Sequence, residues 1–200
     1  MKKPADTSCR LNDPIQQRWS PRAFADRPVE ESDLKSLFEA ARWASSCFNE
    51  QPWQFIIAIK ANPQEYERML SCLVVGNQEW AKLAPVLILT VAKSTFDHHG
   101  KPNKHAWHDV GLAVGNLVIQ ATTLGLSLHQ MAGILPDRIR EVYEVPQGFD
   151  PVTALALGYV GDPSLLSEEM RQVELAKRAR KPLAEFVFGG QWGKAASIVE

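Results

Sequence analysis

A chain of 200 residues that is 45% hydrophobic is long enough to bury one sizeable core, and 22 basic against 23 acidic side chains leave a net charge of −1. That balance argues against nucleic acid or a membrane surface as the partner, because both draw on a basic excess. Three cysteines without a CxxC pair, Cys9, Cys47 and Cys72, read as reduced thiols of a cytoplasmic protein, not as a disulfide frame or a zinc knuckle.

Lys2 and Lys3 precede no apolar stretch, so no secretory leader is expected at the start. Asp13-Pro14, an N-cap followed by Pro at the first helical position, opens a short helix that ends near Trp19. From about Val29 to Ala44, Leu34, Leu37, Phe38 and Ala41 recur at helical spacing. Glu30, Glu31 and Asp33 sit in the first turn, where the helix dipole favours acids. The polar segment SSCFNEQPW interrupts this helix, and QFIIAI (54–59) reads as a strand. Asn62-Pro63 starts a further helix to about Leu73. Pro85 to Ala92 reads as a strand buried on both faces, and as the longest apolar run it is too short to cross a bilayer.

Ser94 to Lys104 is a polar loop with His98 and His99. Trp107 to Leu124 is a long helix, apolar on nearly every side, so burial all round is expected, in the core or against a second subunit. Gly111 and Gly115 share one face of it and would let another backbone approach. A strand over Ser127–Met131, a turn at Ala132-Gly133, a helix over Pro136–Tyr143 and a strand over Val152–Tyr159 follow. After Pro163 the chain reads as helical to about Arg180, with a terminal strand over Glu185–Phe188. Alternating helices and strands imply an α/β (α+β) arrangement around a central sheet, in one domain spanning residues 1–200. The tail from about 182 to 200 has too few apolar residues to fold on itself and is expected to pack on something else.

GxGxxG, GxxxxGK[ST] and GxSxG are all missing, which argues against a Rossmann or P-loop nucleotide site and a nucleophile elbow. His98, His99, His105 and His108 match no common ligand spacing, so a solvated loop is expected and no metal. Arg18-Trp19-Ser20-Pro21-Arg22 is a compact anion cradle, since guanidinium matches phosphate bidentately and Ser adds a short hydrogen bond. Taken alone it is equally a surface charge cluster. Ser45 to Trp53, with Ser46, Asn49 and Gln51, offers hydroxyls and amides but no strong base, a set that orients a planar heterocycle. Arg178-Ala179-Arg180-Lys181-Pro182 supplies the second arginine pair that a doubly charged phosphate needs, or else a solvated helix end.

The order RxSxR (18–22), SSxxNxQPW (45–53), HDVGLAVGNLVIQATTLGL (108–126), HQMAGI (129–134), ALGYVGD (156–162) and RxRKPLAEFVF (178–188) resembles the nitroreductase family of FMN oxidoreductases, over about Gln16 to Gly193. The resemblance implies a three-layer α-β-α sandwich on a mixed, mainly antiparallel sheet. It also implies a homodimer with FMN at the subunit interface and the 182–200 tail on the partner. FMN-dependent passage of two electrons from NAD(P)H to a nitroaromatic, quinone or similar small acceptor, in ping-pong fashion, is the implied activity. Arg18, Trp19, Ser20, Arg22, Arg178 and Arg180 then fall where the family holds phosphate and ribityl, with Arg22 near flavin N1 and O2. Ser45, Ser46, Asn49 and Gln51 match the loop that the other subunit lays on the ring. Gln130, Met131, Ala132 and Gly133 match the stretch over the flavin, and Asn77 a polar position near its pyrimidine edge. No catalytic side chain is implied, because the flavin carries the chemistry. The chain departs from the pattern at Ser45, where many relatives have Pro, at Ala132, where many are acidic, and beside Asn77, where no lysine stands. A flavin-dependent dehalogenase and a non-catalytic FMN-binding protein are the alternatives on the same scaffold.

Overall fold

The computed structural model describes residues 1–7 and 9–199. Helix α1 (Asp13–Gln17) is held at its start by Pro14, whose fixed φ suits a first turn. Helix α2 (Glu31–Arg42) buries Leu34, Leu37 and Ala41 on one stripe, with Glu31 and Asp33 in its first turn and Arg42 in its last, each sign at the favoured pole. Strand β1 (Trp53–Ile59), helices α3 (Pro63–Leu70) and α4 (Val75–Ala81), strand β2 (Val86–Lys93) and the long helix α5 (Ala106–Thr123) follow. Strand β3 (Ser127–Met131), helix α6 (Pro136–Tyr143), strand β4 (Phe149–Gly158) and helix α7 (Glu168–Leu175) complete the regular elements.

The strands lie in the order β1-β2-β4-β3, and every ladder is antiparallel. β2 is central and water-free over seven residues, which is why it reads as a continuous apolar run and not as an alternation. Side-chain parity splits the core in two. Val86, Ile88, Leu155, Leu157 and Leu128 face α2 and α5. Leu87, Leu89, Ala154, Ala156 and Met131 face Met69, Leu70, Trp80 and Ile139, on α3, α4 and α6. The result is the expected three-layer α-β-α sandwich.

Four elements differ from expectation. α4 has no capping side chain and contains Gly76, so its local signal is weak. It forms because Trp80 and Ala81 are buried and because Gly133 O accepts from Val74 N. α7 stops at Leu175, five residues before Arg180, where Ala176 turns extended (φ −57°, ψ 147°). The cations of 177–181 repel one another along a helix; extended, the chain brings Arg178 onto the carbonyls of Lys3 and Gln16. The expected strand at Glu185–Phe188 is a 3₁₀ turn over Leu183–Glu185, closed by Val187 N to Leu183 O, and only Phe188 pairs, with Ala195. Finally, α5 is not covered all round by its own chain. Ala106, Val110, Ala113, Val114, Leu117, Val118 and Ala121 are buried. The opposite stripe, through Trp107, Gly111, Leu112 and Gly115, stays open.

Candidate functional site

Both ends of the chain meet in one cavity of about 220 Å³, lined by Lys3, Arg18, Trp19, Ser20, Arg22, Glu174, Lys177, Arg178 and Arg180, among others. The structure thus unites two arginine clusters that lie more than 150 positions apart in the sequence. The 18–22 segment is anchored beneath: Ala25 N bonds Tyr159 O, and Gly161 N bonds Ala23 O. Arg18 Nη1 donates to Ser20 Oγ at 3.1 Å, which aims guanidinium and hydroxyl into the same space. Arg22 lies over the buried Trp80 ring at 5.9 Å. Arg178 Nη1 donates to Lys3 O at 2.5 Å, and Lys3 stands over the Trp19 ring at 5.0 Å.

The cavity is short of negative charge. Among the described residues that line it, Glu174 is the single acid, and its carboxylate already accepts from Arg22 N (2.9 and 3.1 Å) and Ala23 N (3.1 Å). Burial, then the charges of Arg178 and Arg180, hold the Arg18 guanidinium below its ordinary pKa. Cations crowded in this way, with no acid of their own to face, are a donor set made for a multiply charged anion.

Sequence reasoning missed His129, which ties the cradle to the sheet. Its Nδ1 lies 2.9 Å from Pro21 O, so that nitrogen carries the proton, and its ring packs 4.5 Å from Trp80. Burial, ahead of the nearby Arg22 and Arg18 charges, pushes the imidazole down to about 4 from 6.5. Between those two pH values the unfolded chain holds more protons than the folded one. Stability is therefore expected to fall as pH drops through that window, by up to about 3 kcal/mol. Urea midpoints measured from pH 7 to pH 4 should show the loss, and His129→Gln should flatten it.

Ser45 and Ser46 line a second recess of about 260 Å³ with Cys47, His105, His108, Asp109 and Leu112, beside the open stripe of α5. The loop is locally held. Phe48, Asn49 and Gln51 all take positive φ, near 53°, 57° and 52°. Buried Asp109 accepts from Cys47 N at 3.0 Å, and Ser46 Oγ accepts from Gln51 N at 3.0 Å. Left-handed backbone at three non-glycine residues persists only where the surroundings fix it. Asn49 and Gln51 are exposed, joined by Gln51 Nε2 to Asn49 O at 3.2 Å, and do not line that recess.

Asn77 meets the end of β3, where its Nδ2 donates to Gly133 O at 3.1 Å. A Cβ on Gly133 would lie 2.6 Å from Asn77 Nδ2 and 2.7 Å from Val74 Cγ2, so an added methyl would push both side chains out of this approach. Gln130 and Ala132 are exposed, while Met131 points into the core and offers its main chain alone. Of the four clustered histidines, His98 and His99 line neither recess, whereas His105 and His108, at the start of α5 and not in the expected loop, line the second. His98 stacks on His99 at 4.0 Å and edges Phe96 at 5.7 Å. Trp80 and Phe96 are buried, and Trp107 is exposed on α5. No helix among the described residues is long and apolar enough to cross a membrane.

A solved oxidoreductase containing FMN superposes with a TM-score of 0.87 at 36% identity, covering 94% of this chain and 95% of that one. A nitroreductase family protein from Clostridium difficile 630 gives a TM-score of 0.67 at 26% identity, with 87% and 94% covered. The FMN reductase [NAD(P)H] of Bacillus subtilis is 25% identical over 168 residues, 76% of this chain and 66% of that protein. The family model described as the nitroreductase family matches residues 15–159, most of the chain, and on that match the chain belongs to the nitroreductase family.

Proposed function

We propose that the protein is an FMN-dependent oxidoreductase that passes two electrons from NAD(P)H to a nitroaromatic, quinone or similar planar acceptor. One observation carries the reading: a cationic cavity whose only lining acid, among the described residues, is tied to main-chain N–H groups. A phosphomonoester dianion fits that donor set. Arg18, Ser20, Arg22, Arg178 and Arg180 would hold the phosphate, with Trp19 and Lys3 closing the wall. The end of β3, Gln130 to Gly133, with Asn77 fixed against it, would face the ring system. Bound FMN supplies the hydride chemistry, and donor and acceptor use one face in turn, which is ping-pong kinetics.

Ser45, Ser46, Asn49 and Gln51 would serve the site of a second copy. The open stripe of α5 and the apolar side chains of the tail, Leu183, Phe186, Trp192 and Ile198, are the surfaces such a copy would cover. Residues 1–200 act as one domain in this reading, with the tail from about 182 lying across the partner. The three free cysteines fit a reducing cytoplasmic setting.

Purified protein should be yellow, sediment as a dimer and lose its flavin absorbance on anaerobic addition of NADH or NADPH. Colour should return with menadione or nitrofurazone, with parallel double-reciprocal lines. Protein that cannot be reconstituted with FMN overturns the reading, and a flavin that resists both nicotinamides leaves only a binding protein.

A further inference from the structure

The cavity poses a mechanical problem. Its arginines come from two segments that share no strand or helix: residues 18–22, before α2, and 178–180, after α7. Arg18, Arg178 and Arg180 are like charges held close together, and burial first, then their mutual repulsion, lowers the pKa of Arg18 and Arg178. Left to Coulomb's law, the two halves would splay and the donors would lose their common focus.

One side chain bridges the halves. Glu174 sits in the last turn of α7, with only 2% of its surface exposed, although glutamate is almost never buried without partners. Its partners are not the arginine side chains that surround it. They are the main-chain N–H groups of Arg22, at 2.9 and 3.1 Å, and of Ala23, at 3.1 Å. The carboxylate thus fixes the backbone from which Arg22 projects, and it engages no guanidinium itself. On the other side, Glu174 O accepts from Lys3 Nζ at 2.7 Å, and Lys3 O accepts from Arg178. The chain leaves α7 one residue after Glu174, at Leu175, and carries Lys177, Arg178 and Arg180 round the rim.

We propose that Glu174 is the positioning residue of the phosphate site: through its bonds to Arg22 N and Ala23 N it holds the 18–22 and 177–180 segments in register, so that both arginine groups converge on one anion. The inference rests on the FMN reading above. It assigns Glu174 no contact with the ligand. Its loss therefore costs recognition of the phosphate and spares recognition of the ring.

FMN against riboflavin separates these effects, because the two differ only by the phosphate. Dissociation constants of both would be measured on apoprotein by flavin fluorescence quenching, for the native chain and for Glu174→Ala and Glu174→Gln. The native chain should bind FMN far more tightly than riboflavin; equal affinities would overturn the FMN-phosphate reading itself. In Glu174→Ala the FMN constant should rise at least tenfold while the riboflavin constant stays within about twofold. Glu174→Gln keeps one acceptor oxygen but turns an N–H group toward the backbone N–H groups, so it should fall between. Unchanged discrimination in both variants overturns the inference. Equal weakening of FMN and riboflavin, or loss of native circular dichroism in both variants, also overturns it, because Glu174 would then serve the fold at large.

Discussion

Replacing Arg22 by alanine is expected to weaken FMN binding by roughly 30- to 100-fold, about 2–3 kcal/mol, which is the usual worth of a charge-assisted hydrogen-bond pair removed from a half-buried site. The side chain lines the cavity, its backbone is pinned by Glu174, and Trp80 braces its guanidinium from below. Little entropy is left for binding to remove, so most of the interaction appears as affinity. Arg22→Lys keeps the charge but not the planar fork and should lose less. Equilibrium dialysis of apoprotein with FMN checks the effect. Unchanged retention refutes the role given to Arg22.

The largest expected loss of stability is at Gly161. An added methyl would stand 2.4 Å from the carbonyl carbon of Phe24 and 2.5 Å from its oxygen. These are backbone atoms, held by Gly161 N to Ala23 O and Ala25 N to Tyr159 O, so they cannot swing aside as a side-chain tip would. Gly161→Ala should therefore cost about 3 kcal/mol, the upper end of overpacking, and lower the melting temperature by roughly 6–12 °C. The displaced segment continues directly from Arg22, so flavin retention should fall as well. Differential scanning calorimetry of the apo and loaded forms reads the two effects apart. A melting temperature within about 2 °C of the native value, smaller than the shift expected from even 1 kcal/mol, would mean the close approach is not maintained.

The elements that the sequence shows well are those whose signal lies within one segment. A short run of β-branched apolar residues places β1, unbroken apolarity places β2, and β3 and α6 match the expected limits residue for residue. α4, by contrast, depends on burial of Trp80 and on a bond from residue 74 to residue 133, which no local window contains. The end of α7 is likewise decided by where Arg178 must reach. The same division holds for the site. The 18–22 and 178–180 arginines could be paired on charge alone. Lys3, Glu174 and His129 could not, because an isolated lysine, a glutamate in a charged helix and a histidine in a short strand look like ordinary surface or core residues. The signal that reveals them is a bond across more than 100 residues: 171 for Lys3, 152 for Glu174 and 108 for His129.

That long reach also sets a timetable for biosynthesis. The cradle at residues 18–22 leaves the ribosome early, and the sheet that supports it can pair only after β4 ends at Gly158. Glu174 and Arg178 emerge later still, so a nascent chain carries half an anion site with nothing to close it. Contacts of such high sequence separation form slowly, after the local helices are in place. On the proposed site, cofactor capture would be a post-translational event, with the carboxyl-terminal segment as its gatekeeper. A chain stalled before residue 174 would lack Glu174, Arg178 and Arg180 and is expected not to keep a flavin.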